Sequence, residues 1–272
     1  MVKLKKLPAL IYSFLIYAFL YIPIVVLIVY SFNDSKYRGK WSGFTLRWYT
    51  DLFQDPDILR AIYVTFIVAI ISSLVATIIG TMTAIGIDRL KPKYKMMFIN
   101  ISYIPMISPD IVIGISLLTL FVMSKVQQGM LTLILAHITF NIPYVIFAVL
   151  PKLQQLDPNI EEAALDLGAT QSQAFRKIIL PEIMPGILTG ALMAFTMSLD
   201  DFMVSFFTTG SGVSTLSIKI YSMTKRGVSP TINALSSIMF LIMIIAVLIL
   251  QFRQYKENEK KRRNIMLQKN EE

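Results

Sequence analysis

The sequence predicts an all-α polytopic membrane protein with six transmembrane helices. Three observations lead there. Of 272 residues, 55% are hydrophobic and only 16% charged, with mean hydropathy +0.62; soluble domains average about 45–50% apolar and about 25% charged. Apolar stretches of about 20 residues, the length that crosses a hydrocarbon layer of about 30 Å, recur along the chain. Lysine and arginine gather on alternate connections between them.

The stretches cover 8–32, 61–87, 97–123, 129–150, 183–207 and 231–252. The first follows Lys3, Lys5 and Lys6 in the manner of a signal peptide. Its apolar run is too long, and no small-residue cleavage site follows, so a retained anchor is expected. No Gly/Ser linker or low-complexity tract divides the chain, so residues 1–272 are expected to form one membrane domain. With the N-terminus inside, cytoplasmic segments hold 17 basic residues and external ones 9. That asymmetry predicts both termini in the cytoplasm, with the loop 151–182 beside them. Trp41, Trp48 and Tyr49 in the first external segment read as an interfacial aromatic belt or as contact with an external protein.

Composition also excludes function classes. There is no cysteine, hence no thiolate catalysis or cysteine-held metal. His137 is the one histidine, so no histidine pair can hold a metal. No G-x-x-x-x-G-K-[ST] phosphate loop is present, so the usual ATP cradle is missing. No enzyme activity, cofactor or metal is expected of this chain. The net charge of +9 is spread along the chain, and the basic tail KENEKKRRNIMLQKNEE holds six lysines and arginines against four glutamates. Next to a membrane span, that tail reads as a topology signal and a contact with the lipid bilayer rather than as a nucleic-acid arm.

Residues 162–181, EAALDLGATQSQAFRKIILP, form a polar island between two very apolar stretches. Asp157 is placed to cap a helix whose first turn holds Pro158. Ile160, Ala163, Ala164 and Leu167 fall at i, i+3, i+4 and i+7, one narrow apolar stripe. Glu161, Glu162 and Asp166 lie on other faces, with acids near the positive helix start. Gly168 suits a left-handed C-terminal turn. Thr170 with Gln173 reads as a capping box for a second short helix ending near Pro181. Two short helices joined at a glycine make a compact cytoplasmic knob. It is either a docking element or an ordinary solvated hairpin.

The remaining chemistry is intramembrane. Asp200 and Asp201 lie in the fifth span, about 25 Å along the helix from Ile183 at ~1.5 Å per residue. Carboxylates at such depth face a cavity or a partner. Neighbouring helical residues diverge by about 100°, so one acid is expected to face the path and the other to bind a backbone donor or a neighbouring subunit. A buried pair satisfied by hydroxyls or an arginine is the structural alternative. Asp110 follows Pro105 and Pro109, which remove donors and disturb the helix. It either adds negative charge near mid-depth or accepts from freed N–H groups. His137, Asn141 and Tyr144, at i, i+4 and i+7 of the fourth span, either line the path or cement helix packing. Together the acids favour a cationic cargo, whose crossing their field would ease.

The spacing Glu162-Ala163-Ala164, Gly168, Ile178, Leu180-Pro181 resembles the EAA loop of binding-protein-dependent ABC-importer permeases. That resemblance implies the type I importer permease (MetI-like) architecture in a bacterial cell membrane. It also implies that Glu162, Ala163, Ala164, Gly168, Ile178, Leu180 and Pro181 couple the chain to a separate ATPase. Residues 15–250 are similar to the polyamine branch of these permeases, through SFN at 31–33, FTLRWY at 44–49 and SPDIVIGISLL at 108–118. LAHITFNIPYV at 135–145, SLDDFMVSFFTTG at 198–210 and LSIKIYSMTKRGVSPTINAL at 216–235 extend the match. Val64-Thr65 departs from it, since relatives often carry asparagine before the hydroxyl residue. The resemblance implies uptake of spermidine or putrescine. The implied partners are two ATPase subunits, a sibling permease and an extracytoplasmic polyamine-binding protein. Two alternatives stay open: a permease for another cationic solute, and a proton-coupled secondary transporter using the three acids as a relay. Secondary transporters often show inverted repeats, and none is evident here.

Overall fold

A computed structural model describes residues 6–35, 40–157, 159–225, 230–242, 244–245, 248 and 252. In chain order its helices are α1 (Lys6–Ser31), α2 (Arg47–Gln54), α3 (Pro56–Asp88), α4 (Pro92–Ile107) and α5 (Asp110–Met123). Then come α6 (Met130–Gln154), α7 (Ile160–Asp166), α8 (Gln171–Ala174), a π-turn (Phe175–Ile179) and α9 (Leu180–Asp200). The series continues with α10 (Met203–Thr208), α11 (Leu216–Lys225) and α12 (Pro230–Ile242). Among the described residues there is no strand, only an isolated bridge between Asn33 and Phe44. The chain is thus a helical polytopic membrane protein, as its composition predicts.

Four helices have the length and apolarity of a span, and two predicted spans are broken. The stretch predicted at 97–123 is α4 and α5, bent by 102° at Ser108-Pro109. Pro109 supplies no N–H and pushes Ser108 into extended backbone (φ −68, ψ 138), as a residue before proline prefers. The stretch predicted at 183–207 ends as a helix at Asp200; Asp201 turns extended (φ −60, ψ 130) and the short α10 follows. The sixth predicted stretch, 231–252, is helical over Pro230–Ile242, and most of its remainder lies outside the described residues. So do Lys36 and Arg38 and the basic tail.

The elements pack as two units, residues 57–221 and the described parts of 1–56 with 222–272. In the first, α6 and α9 pack closely. A Cβ on Gly186 would stand 2.8 Å from the Ala148 carbonyl oxygen, so only glycine allows that approach. Val145, Val149, Leu150 and Leu153 of α6 meet Ile183 and Ala194 of α9 and Ala84 and Ile87 of α3. A second cluster joins Phe121, Ala136, Phe140 and Val204. Lipid tails are as apolar as these side chains, so such contacts hold the spans together mainly through van der Waals packing.

In the other unit, Asn33 organises the chain after α1. Its Nδ2 donates to the Lys40 carbonyl (2.7 Å) and its Oδ1 accepts the Ser42 N–H (2.8 Å). Trp48 Nε1 donates to the Asn33 carbonyl at 2.7 Å, and the Tyr49 hydroxyl bonds to Ser31 Oγ at 2.7 Å. Trp48 is only 5% exposed and Trp41 is 52% exposed. The expected aromatic belt is therefore corrected for Trp48 and Tyr49: the indole and phenol hold the turn after α1 together.

Candidate functional site

The polar island folds differently from a pair of short helices. Asp157 does not cap it directly: its Oδ1 accepts the Asn159 N–H (2.9 Å), its carbonyl accepts that of Ile160 (3.0 Å), and α7 starts at Ile160 with Asn159 as N-cap. Pro158 lies outside the described residues. Of the predicted apolar stripe, Ala164 is buried and Ile160 half-buried, whereas Ala163 is exposed and Leu167 is 90% exposed. Seven residues make two turns, too few to bury one face and support a second. Glu162, Ala163 and Leu167 therefore face outward.

The left-handed turn at Gly168 is present, with φ +86. The Gly168 N–H donates to the Leu165 carbonyl (2.9 Å) and the Ala169 N–H to that of Ala164 (3.1 Å). These are the two bonds of a Schellman ending. Thr170 and Gln173 then form the capping box: Thr170 N–H to Gln173 Oε1 at 2.9 Å, Gln173 N–H to Thr170 Oγ1 at 3.3 Å.

The helix so started does not stop at Pro181. It widens into the π-turn, where the Leu180 N–H bonds to the Phe175 carbonyl five residues back, and runs on as α9. An α-helical proline lacks its donor and clashes with the carbonyl four residues earlier; the wider turn falls just before Pro181. Ile178 and Leu180 are half-buried within this joint, and Pro181 is exposed. Gln171–Asp200 is thus one 30-residue path from the island into the membrane.

Inside the span region, the acids separate by environment. Asp201 is a cap: its Oδ2 accepts the Ser205 N–H (2.7 Å) and its Oδ1 that of Val204 (3.2 Å), starting α10. Its side chain is 8% exposed and lies 3.6 Å from His137 Nε2. Asp200 and Asp110 are exposed. Asp200 ends α9 and Asp110 starts α5, each beside a helix break, and the two are close enough for their charges to interact. Asp110 interacts likewise with the half-buried Tyr144.

His137 and Asn141 are fully buried. His137 Nε2 and Ser205 Oγ share a bond of 3.0 Å. Asn141 Nδ2 donates to Ser198 Oγ (2.8 Å), which stands 3.0 Å from Ser72 Oγ, itself a donor to the Ala69 carbonyl. The chain Asn141→Ser198→Ser72→Ala69 ties α6, α9 and α3 together. Nearby, Thr65 Oγ1 accepts the Leu216 N–H at 2.8 Å. His137 and Asn141 thus bond to neighbouring helices inside the fold, whereas Tyr144, on the same face of α6, is half-buried. Ser72, Ser198 and Ser205 went unremarked in the sequence. A serine in an apolar span usually bonds its own helix, and nothing local marks those that bond another.

A binding-protein-dependent transport system inner membrane component family matches residues 76–263. The chain is 43% identical over 233 residues to the spermidine/putrescine transport system permease protein PotC of Escherichia coli (strain K12), covering 86% of this chain and 88% of that one. It is 40% identical over 229 residues to the putrescine transport system permease protein PotI of the same organism, covering 82% of each. Among solved structures, a chain of a bacterial ABC transporter involved in import of the acidic polysaccharide alginate superposes with TM-score 0.68. That match covers 90% of this chain and 93% of the other at 19% identity, and speaks to the fold.

Proposed function

The chain belongs to the binding-protein-dependent transport system inner membrane component family, and we propose that it is the permease subunit of an ATP-driven importer of polyamines such as spermidine and putrescine. The observation that carries the mechanical part is continuity: α7 ends at Gly168, and the helix capped by Thr170 runs through the π-turn into α9 as far as Asp200. A displacement of the island is thereby delivered to an acidic helix break inside the membrane. The polyamine part rests on the PotC and PotI relatives and on the exposed acids.

In this reading both termini and the loop 151–182 are cytoplasmic, and the whole chain acts as one permease domain. It pairs with a sibling permease, two ATPase subunits and an extracytoplasmic polyamine-binding protein. Glu162, Ala163 and Leu167 present the docking face, Gly168 sets its angle, and Ile178, Leu180 and Pro181 form the joint. ATP binding draws the ATPases together, moves α7 and reorients α9, opening the path outward; hydrolysis resets it. Asp110, Asp200 and Tyr144 line the path. Two carboxylates at facing helix breaks offset the cost of bringing an ammonium group into hydrocarbon. Asp201, His137 and Asn141 hold the break in shape.

Cargo is tested in proteoliposomes holding the complete complex. Labelled spermidine accumulates, and excess unlabelled putrescine suppresses it. Uptake of a thiamine-like cation that neither polyamine inhibits would replace the cargo assignment while keeping the architecture.

A further inference from the structure

Arg89, in the connection after α3, reaches the docking helix. Its Nη2 donates to both oxygens of Glu161, at 3.1 and 3.2 Å, across 72 positions of sequence. Beneath the pair lies a cleft of about 330 Å³ whose lining includes Asp88, Leu153, Asp157, Phe175 and Ile179. Ile85 of α3 and Ile160 of α7 also line this cleft. The main packing of α7 is with α8 and the π-turn, its own neighbours in sequence. Among the described residues, the Arg89–Glu161 pair is the one hydrogen-bonded link from α7 to an element outside the island.

We propose that Arg89 is a positioning residue: a strut that transmits movement of the docking helix to α3, in parallel with the covalent route through the π-turn into α9. The inference rests on the docking role proposed above. α3 is one unbroken helix of 33 residues, so a pull at Arg89 is felt along its length. About 25 Å away at 1.5 Å per residue, Ser72 of α3 bonds Ser198 of α9 at 3.0 Å, two residues before Asp200. Both routes therefore converge on the same acidic break. One pushes through the chain and the other holds the flank.

Two features argue for position rather than stability. The side chains are 57% and 30% exposed, and exposed pairs contribute little to folding. Asp88 and Lys95, close by in the same cleft, form their own pair at 2.7 Å, which leaves Arg89 committed to Glu161.

The test uses the complete complex, reading polyamine transported per ATP hydrolysed. Arg89→Glu and Glu161→Arg each lower that ratio about fivefold or more, the scale of a typical inter-site coupling. The double reversal, which restores opposite charges, recovers most of it. Lys93→Glu, an equal charge change nearby in the first turn of α4, leaves the ratio at the wild-type value. The strut is overturned by single reversals that keep the wild-type ratio in a complex that still co-purifies with its ATPase. It is equally overturned by a double reversal that recovers nothing, or by Lys93→Glu losing as much as Arg89→Glu. A wild-type chain that recruits no ATPase overturns the docking role itself, a separate outcome.

Discussion

Replacing Gly168 isolates the turn that aims the docking helix. Its φ is +86, and an added Cβ would meet nothing within 4 Å, so any penalty is conformational rather than steric. The left-handed region costs an ordinary L-residue about 1–2 kcal/mol, while asparagine visits it readily. A β-branched residue is disfavoured there most. A penalty of 1–2 kcal/mol changes the population of the turn roughly 5–30-fold. Uptake by the reconstituted complex is therefore expected to fall in the order Gly168→Asn, Gly168→Ala, Gly168→Val. Asparagine stays near wild type and valine loses most of the activity. The melting temperature of the purified permease should shift by only a few degrees, because Gly168 is exposed and an added Cβ there meets nothing within 4 Å. Equal loss for asparagine and valine would mean that side-chain bulk at the ATPase surface, not backbone angle, is what matters. Full uptake by the valine variant would refute the reasoning.

Other substitutions test the remaining parts. Asp201→Ala removes the acceptor for the Val204 and Ser205 N–H groups and should destabilise the protein by about 0.5–2 kcal/mol, as loss of a cap does, seen as a lower thermal midpoint in detergent. Asp200→Asn should leave that midpoint in place and weaken spermidine uptake; the reverse pattern would exchange the two roles. Gly186→Val forces a Cβ to within 2.8 Å of the Ala148 carbonyl oxygen and should cost about 1–3 kcal/mol by overpacking. Unchanged thermal stability would show that α6 and α9 can separate freely.

The sequence made the membrane class, Gly168 and the Thr170–Gln173 box legible, because each depends on local chemistry: apolar length, one φ angle, two side chains three residues apart. It misjudged what depends on the surroundings. Pro181 reads as a stop, since a proline ends most helices, yet a π-turn carries the helix past it. Pro109 reads as a disturbance within one span, yet it turns the chain by 102°. For Asp200 and Asp201 the helical divergence does predict two different roles, one of them on a backbone donor, but not which acid takes which. One residue of backbone extension gives Asp201 the next helix to cap and leaves Asp200 exposed. The Asn141–Ser198–Ser72 chain joins residues up to 126 positions apart, beyond any local pattern. Nothing local marks Arg89, whose partner Glu161 lies 72 positions away.

The most direct measurement supplies ATP to vesicles holding the full complex while a protonophore collapses the proton gradient. Labelled spermidine should accumulate at the undiminished rate, and should fail to accumulate when ATP is withheld and a gradient imposed. Uptake that follows the gradient and ignores ATP would contradict the account, because no external motor would then be acting through α7.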